Sequence, residues 1–253
     1  MNALHFTSDS LVHGMREREF TVNGVPGVLW SPADATGRAP LVLMAHGGGN
    51  HKKHPAMTGR ARLFVNDCGY HVAVLDTPAH GDRQPTAHDE AELAALLAAR
   101  AAGEPEGPVV VRYNAHLAEL AVPEWRAALD ALQLLPEIGA DGPVGFFGNN
   151  MGTAIGVPLV AGDPRITAAV FGQHWPDVLV EPARRITIPI EYAMQWDDEH
   201  ITREQSFELF DAFASTEKSL HANSGKHKEL PRFEAESAAR FFARHLGTPA
   251  TRA

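Results

Sequence analysis

Hydrophobic positions fall into two rhythms along the chain. Short apolar runs read as strands at residues 16–22, 25–31, 40–44, 71–76, 143–147, 166–171, 188–195 and 218–222. Helical spacing of apolar residues fills the gaps at 55–68, 89–102, 122–135, 152–161, 202–214 and 231–246. Strand alternating with helix predicts a mostly parallel sheet of about eight strands flanked by helices. The first two strands flank Asn23-Gly24 and form an antiparallel hairpin, because that dipeptide suits a tight two-residue turn. Helix starts are marked by Thr202 followed by Glu204 and Gln205, and by Pro231 in the first turn of the last helix. The rhythm breaks between Gly81 and Val122, where an alanine-rich helix is followed by GEPEGP. A break of that length in a compact α/β domain predicts a small lid over 82–121, with one more surface helix as the alternative. No repeat or low-complexity linker interrupts the pattern, so a single α/β domain over 1–253 is expected.

Composition narrows the function. The 31 acidic residues outnumber 22 basic ones, and the net charge of −9 repels phosphate backbones and anionic lipid surfaces. A small-molecule partner is expected, with no nucleic acid and no membrane. Cys68 is the one cysteine, which excludes an intramolecular disulfide and a cysteine-rich metal site. The opening MNALHFTSDS lacks the basic start and apolar run of a secretory leader, and no run reaches the roughly 18 apolar residues of a membrane span. A cytoplasmic place is the expectation.

Three segments fall where an α/β sheet carries its chemistry, beyond the carboxyl ends of its strands. LVLMAHGGGN runs from an apolar strand into His46-Gly47-Gly48-Gly49, a loop able to present bare N–H groups to a developing oxyanion, or simply a glycine turn. VGFFGNNMGTAIG has the shape of a nucleophile elbow, G-x-S-x-G, with Asn150 at its centre in place of serine. No other G-x-S-x-G occurs in the chain. Asp197 and Asp198 then follow an apolar strand, and His227 lies in a glycine-containing loop before the final helix. In their order of elbow, acid and histidine these segments resemble the α/β-hydrolases, whose acid usually follows the strand end by a short turn and is followed by an apolar position, here Ile201; that resemblance prefers Asp198 as the acid and makes Asp197 a solvated or capping neighbour.

Taken in order, AHGGG, LDTPAHGDR, GNNMG, QWDDE and SGKH resemble the α/β-hydrolase fold, in particular esterases of the dienelactone hydrolase type, from about residue 41 to 246. The resemblance implies that a serine at 150 would attack an acyl carbon, that His227 would take its proton, and that Asp198 would hold the imidazole tautomer. The N–H of Met151, with that of Gly48 or Gly49, would stabilise the oxyanion. It also gives the loop after Asp76 a shaping role, with Arg83 as a binder of an acidic group. Asparagine departs from the pattern. Its amide nitrogen is delocalised into the carbonyl and cannot replace an activated hydroxyl, yet asparagine tolerates the positive φ of an elbow. Three readings follow: a serine esterase inactivated at position 150, a natural variant that uses the His227–Asp198 base and the oxyanion hole without an acyl-enzyme, and a non-catalytic ligand-binding relative.

Other residues carry less. His174, Trp175 and His46 are candidates to line a pocket, with a packing role as the equal alternative for Trp175. His46, His51 and His54 have no carboxylate nearby in sequence, so neither a metal nor a cofactor is expected. Cys68, before Gly69, reads as a small buried hydrophobe, and Trp125 as core or lid packing.

Overall fold

The computed structural model describes residues 3–34 and 37–247; residues 1–2, 35–36 and 248–253 of the expected 1–253 domain lie outside the described residues. Among the described residues ten strands make one sheet: β1 Leu4–Phe6, β2 Ser10–Val12, β3 Met15–Val22, β4 Val25–Pro32, β5 Leu41–Ala45, β6 His71–Leu75, β7 Val144–Gly148, β8 Ile166–Gly172, β9 Ile190–Gln195 and β10 Lys218–Asn223. Their spatial order is β1-β3-β4-β6-β5-β7-β8-β9-β10, with β2 on β3. From β6 to β10 every pairing is parallel, while β4 meets β6 antiparallel. The β3–β4 hairpin pairs Val22 with Val25 across Asn23 and Gly24, whose φ angles of 52° and 82° are those the turn demands.

The helices are α1 Pro55–Asn66, α2 Ala87–Ala102, α3 Gly107–Leu132, α4 Met151–Gly162, α5 Val180–Ala183, α6 Arg203–Ala212 and α7 Phe233–Leu246. β5, β6 and β7 are buried along their whole length because both faces are covered. Leu41, Leu43 and Ala45 join one core cluster with Leu117, Trp125 and Leu129 of α3, and the alternate Val42 and Met44 join another with Phe64 of α1 and Phe242 of α7.

β1 and β2, three residues each, extend the eight strands read from the pattern; β1 is half-exposed and β2 mostly exposed, and both are too short to show a period. Two expectations need correction. The helix expected at 122–135 begins at Gly107: Pro123 lies inside it, and Val111, Leu117, Ala118 and Ala121 continue the buried stripe of Trp125 and Leu129 upstream. Pro231 precedes α7 by two residues instead of sitting in its first turn. Residues 82–121 are thus mostly a helical hairpin. Its first arm, α2, starts with a capping box between Thr86 and Asp89 and ends on left-handed Gly103.

Candidate active site

Beyond β7 the chain turns into α4 through Asn150 at φ 62°, a region that asparagine enters more readily than most side chains. The tightness of the turn dictates its glycines. A Cβ on Gly148 would stand 2.5 Å from the Gly152 carbonyl oxygen, and one on Gly152 would stand 2.7 Å from that of Ala45. The Thr153 hydroxyl ties the elbow to β8, lying 2.6 Å from the Gly172 carbonyl and accepting the Gly172 N–H at 2.9 Å.

Past β8, the ends of the last two strands supply Asp198, after β9, and His227, after β10. Asn150 Nδ2 donates to His227 Nε2 at 2.6 Å, and His227 Nδ1 donates to Asp198 Oδ2 at 2.7 Å. The roles are mutually determined: a proton on Nδ1 leaves Nε2 as acceptor, so Asn150 must present its NH2. Asp198 also accepts the N–H groups of His200 at 2.9 Å and Ile201 at 3.0 Å. Burial alone would raise its pKa, but the His227 bond and these two N–H groups outweigh burial and hold the carboxyl below its ordinary value. Asp197 is turned elsewhere, 3.4 Å from Arg203 and 3.4 Å from the Gly225 N–H.

Opposite the elbow lies the glycine loop after β5. Among the described residues, the N–H groups of Gly48, Gly49 and Met151 take no hydrogen-bond acceptor. His46 has no exposed surface: Nδ1 donates to the Gly47 carbonyl at 3.0 Å and Nε2 accepts the Thr77 N–H at 3.2 Å. Burial drives its pKa down to about 4. His174 is equally enclosed, donating to the Trp175 carbonyl at 3.0 Å and accepting from Asn114 at 3.2 Å, and burial drives it too down to about 4. Both therefore brace the site and do not line a pocket. Trp175 does line one, a cavity of about 1000 Å³ shared with Glu106, Val111, Glu199, His200 and Gln205.

Sequence reasoning missed the residues that seat His227. Its N–H donates to Glu199 Oε2 at 3.0 Å, its carbonyl accepts from Gln173 Nε2, and the His200 ring stands 5.4 Å from its own. Glu199 and His200 adjoin Asp198 in sequence, which was the available signal, but their partner lies in another loop. Arg83 does hold an acidic group, and that group is internal: it grips Glu124 of α3 with two bonds at 2.7 and 2.8 Å. His51 and His54 spend their Nδ1 atoms on nearby backbone N–H groups at 3.3 Å. Trp125 is core, and Cys68 is half-buried on the sheet's other flank, packed on the α1 and α7 cluster.

Neither a protein-family model nor a curated protein sequence matches the chain. Solved structures do. A cold-adapted esterase from an Arctic intertidal metagenomic library, in complex with polyethylene glycol, is 30% identical, with 95% of this chain and 98% of that one covered and a TM-score of 0.74. The acetyl xylan esterase from Paenibacillus sp. R4 is 15% identical over 96% of this chain and 88% of its own, with a TM-score of 0.68, a likeness of fold alone. With a ten-strand sheet, an elbow after β7 and an acid and a histidine after β9 and β10, and with near full-length similarity to the first of these esterases, the chain belongs to the α/β-hydrolase family.

Proposed function

We propose that the protein hydrolyses small-molecule esters on the scaffold of a dienelactone-hydrolase-type esterase but, unlike that type, without forming an acyl-enzyme. The observation that carries this reading is the unbroken hydrogen-bond chain Asn150–His227–Asp198, at 2.6 and 2.7 Å. An anionic Asp198 keeps the proton on Nδ1, so Nε2 is the basic atom. When substrate enters, the Asn150 amide gives up Nε2 to a water molecule. His227 takes a proton from that water as its oxygen attacks the carbonyl carbon, and the N–H groups of Gly48, Gly49 and Met151 receive the negative oxygen. Collapse breaks the ester C–O bond, and the imidazolium returns its proton to the leaving alkoxide. The helical hairpin over 82–121 acts as the lid, since Glu106 and Val111 contribute to the cavity wall. The single cysteine suits a reducing cytoplasm.

One observation favours a second reading, a serine esterase silenced at position 150: the Asn150 amide occupies the lone pair that the base needs. Hydrolysis of p-nitrophenyl acetate by the parent chain, Asn150→Ser and His227→Ala separates them. Under the first reading the parent turns over and His227→Ala abolishes turnover. Under the second only Asn150→Ser is active, by a large factor, since loss of a triad nucleophile costs about 10⁶ in a well-studied protease. If neither chain reacts while ligand affinity persists, a ligand-binding relative remains.

A further inference from the structure

Behind the His227 loop, on the sheet face covered by α7, lies a cluster of titratable groups that the ester chemistry does not use. Parallel pairing sets Glu191 beside Ser219, Ala193 beside His221 and Gln195 beside Asn223, so these alternate residues share one face. Glu234 enters that face from the first turn of α7. Glu191 and Glu234 are only 5% and 7% exposed, with half-buried His221 between them.

Each of the three offers one donor atom such that all lie within 4.8 Å of one another. His221 Nδ1 donates to Glu234 Oε2 at 2.8 Å, and Nε2 lies 3.7 Å from Glu191 Oε2. That second distance is too long for a hydrogen bond. It is close to the separation of about 3.4 Å between two ligands bound tetrahedrally at about 2.1 Å to one zinc ion, so Nε2 and Glu191 can share an ion, which Glu234 joins by giving up its bond to Nδ1 and turning an oxygen to the Nε2 side. Asn223 Nδ2 donates to Glu234 Oε1 at 2.9 Å and Ser237 Oγ to Glu191 Oε2 at 3.1 Å, which orients both carboxylates. Among the described residues, no lysine or arginine forms an ion pair with either carboxylate. His221 is the one basic side chain paired with both carboxylates among the described residues, and burial pushes the Glu191 carboxyl up.

We propose that Glu191, His221 and Glu234 bind a single divalent first-row cation, zinc foremost, which clasps the two ends of the segment that carries His227. One imidazole and two carboxylates favour such a metal over magnesium or calcium, which prefer oxygen alone. The segment 224–232 leaves β10 just after His221 and Asn223 and enters α7 just before Glu234. A cation there joins β9, β10 and α7 at the root of that loop.

The test needs no ester substrate, so it stands or falls apart from the proposed hydrolysis. Full-length protein stripped with a chelator is titrated with zinc chloride by calorimetry, and its unfolding is followed with zinc or magnesium present. One equivalent of zinc binds, and with zinc about 100-fold above its Kd the Tm rises by about 5 to 10 °C. Magnesium leaves the Tm unchanged. His221→Ala and Glu191→Gln each weaken zinc binding by at least about 10-fold, whereas His51→Ala retains it. If His221→Ala fails to fold, as judged by circular dichroism, the near-isosteric Glu191→Gln decides. Absence of stoichiometric binding, equal affinity in Glu191→Gln, or loss of binding in His51→Ala overturns the proposal.

Discussion

Replacing Lys52 by methionine strips the counter-charge from the most enclosed carboxylate near the glycine loop. Asp76 has no exposed surface, and its oxygens accept the Lys52 N–H at 2.8 Å, the Lys52 ammonium at 2.9 Å and the Asp82 N–H at 3.1 Å. Burial alone would raise its pKa, but the two Lys52 bonds and the Asp82 N–H together hold it below the ordinary value. The Lys52 side chain is 6% exposed and also meets Asp82, which at 68% exposure can fall back on water. Methionine fills the space of the lysine stem and removes only the charge. At the 2.9 Å separation, the lost attraction is about 6 kcal/mol for an effective dielectric of about 20, and the two remaining N–H groups offset part of it. A net loss of about 3 to 5 kcal/mol is expected, as for other broken buried pairs. For a domain of this size that lowers Tm by roughly 6 to 20 °C. Urea unfolding at pH 7 and pH 5 measures it. Without its cation Asp76 has a raised folded-state pKa, so the stability deficit of the variant against the parent shrinks as pH falls toward about 4. Adding Asp76→Asn restores most of the loss at pH 7, because a neutral amide tolerates burial. A loss below about 1 kcal/mol, or a double variant no better than Lys52→Met, would refute the claim that the ion pair neutralises a buried charge.

Three further outcomes are expected. His46 and His174 stay neutral in the fold down to about pH 4, while their unfolded forms take up protons near pH 6.5, so stability falls as pH drops through that window. The slope reaches about 2.7 kcal/mol per pH unit for the two together, and a flat urea midpoint between pH 6.5 and 4.5 would contradict it. Gly156→Ala sets a Cβ 2.1 Å from a Phe146 ring carbon and costs about 1 to 3 kcal/mol, whereas Gly59→Ala, on the exposed side of α1 with nothing within 4 Å, raises stability by up to about 1 kcal/mol; thermal melts of the pair compare the two. A fluorophosphonate leaves the parent unmodified and adds its mass to Asn150→Ser at the elbow peptide, as read by mass spectrometry; an adduct on the parent would expose an overlooked nucleophile.

What the sequence discloses is what local chemistry decides. The Asn23-Gly24 turn and the glycines around Asn150 are dictated within a few residues, by φ angles and by backbone contacts under 3 Å, so their meaning survives without coordinates. Helix α3 is hidden because Pro123 imitates a helix start, and only packing on the sheet shows that the stripe from Val111 onward is one face. Side-chain direction is the least legible quantity. His46 points inward to Thr77, not toward a cavity, because an N–H from the neighbouring strand end needs an acceptor there. Glu199 reads as one more acid in a polar run until a loop 28 residues away offers it an N–H. The Glu191, His221 and Glu234 set is scattered over three elements, and only their parallel register and the docking of α7 unite them.

The place of β5 in the sheet bears on how the chain is made. This strand, LVLMA, is apolar throughout and pairs with β6 on one edge and β7 on the other. β6 follows within some thirty residues, but Val144 leaves the ribosome about a hundred residues after Leu41. At ordinary elongation rates the far edge of β5 stays open for roughly 5 to 20 s, a bare hydrophobic template for any other strand that meets it. The glycine loop hangs from that edge and the elbow arrives with β7, so one pairing event both closes the sheet's most aggregation-prone seam and creates the first half of the site. A nascent chain stalled before residue 144 is therefore the species that a cell expressing this protein must shield.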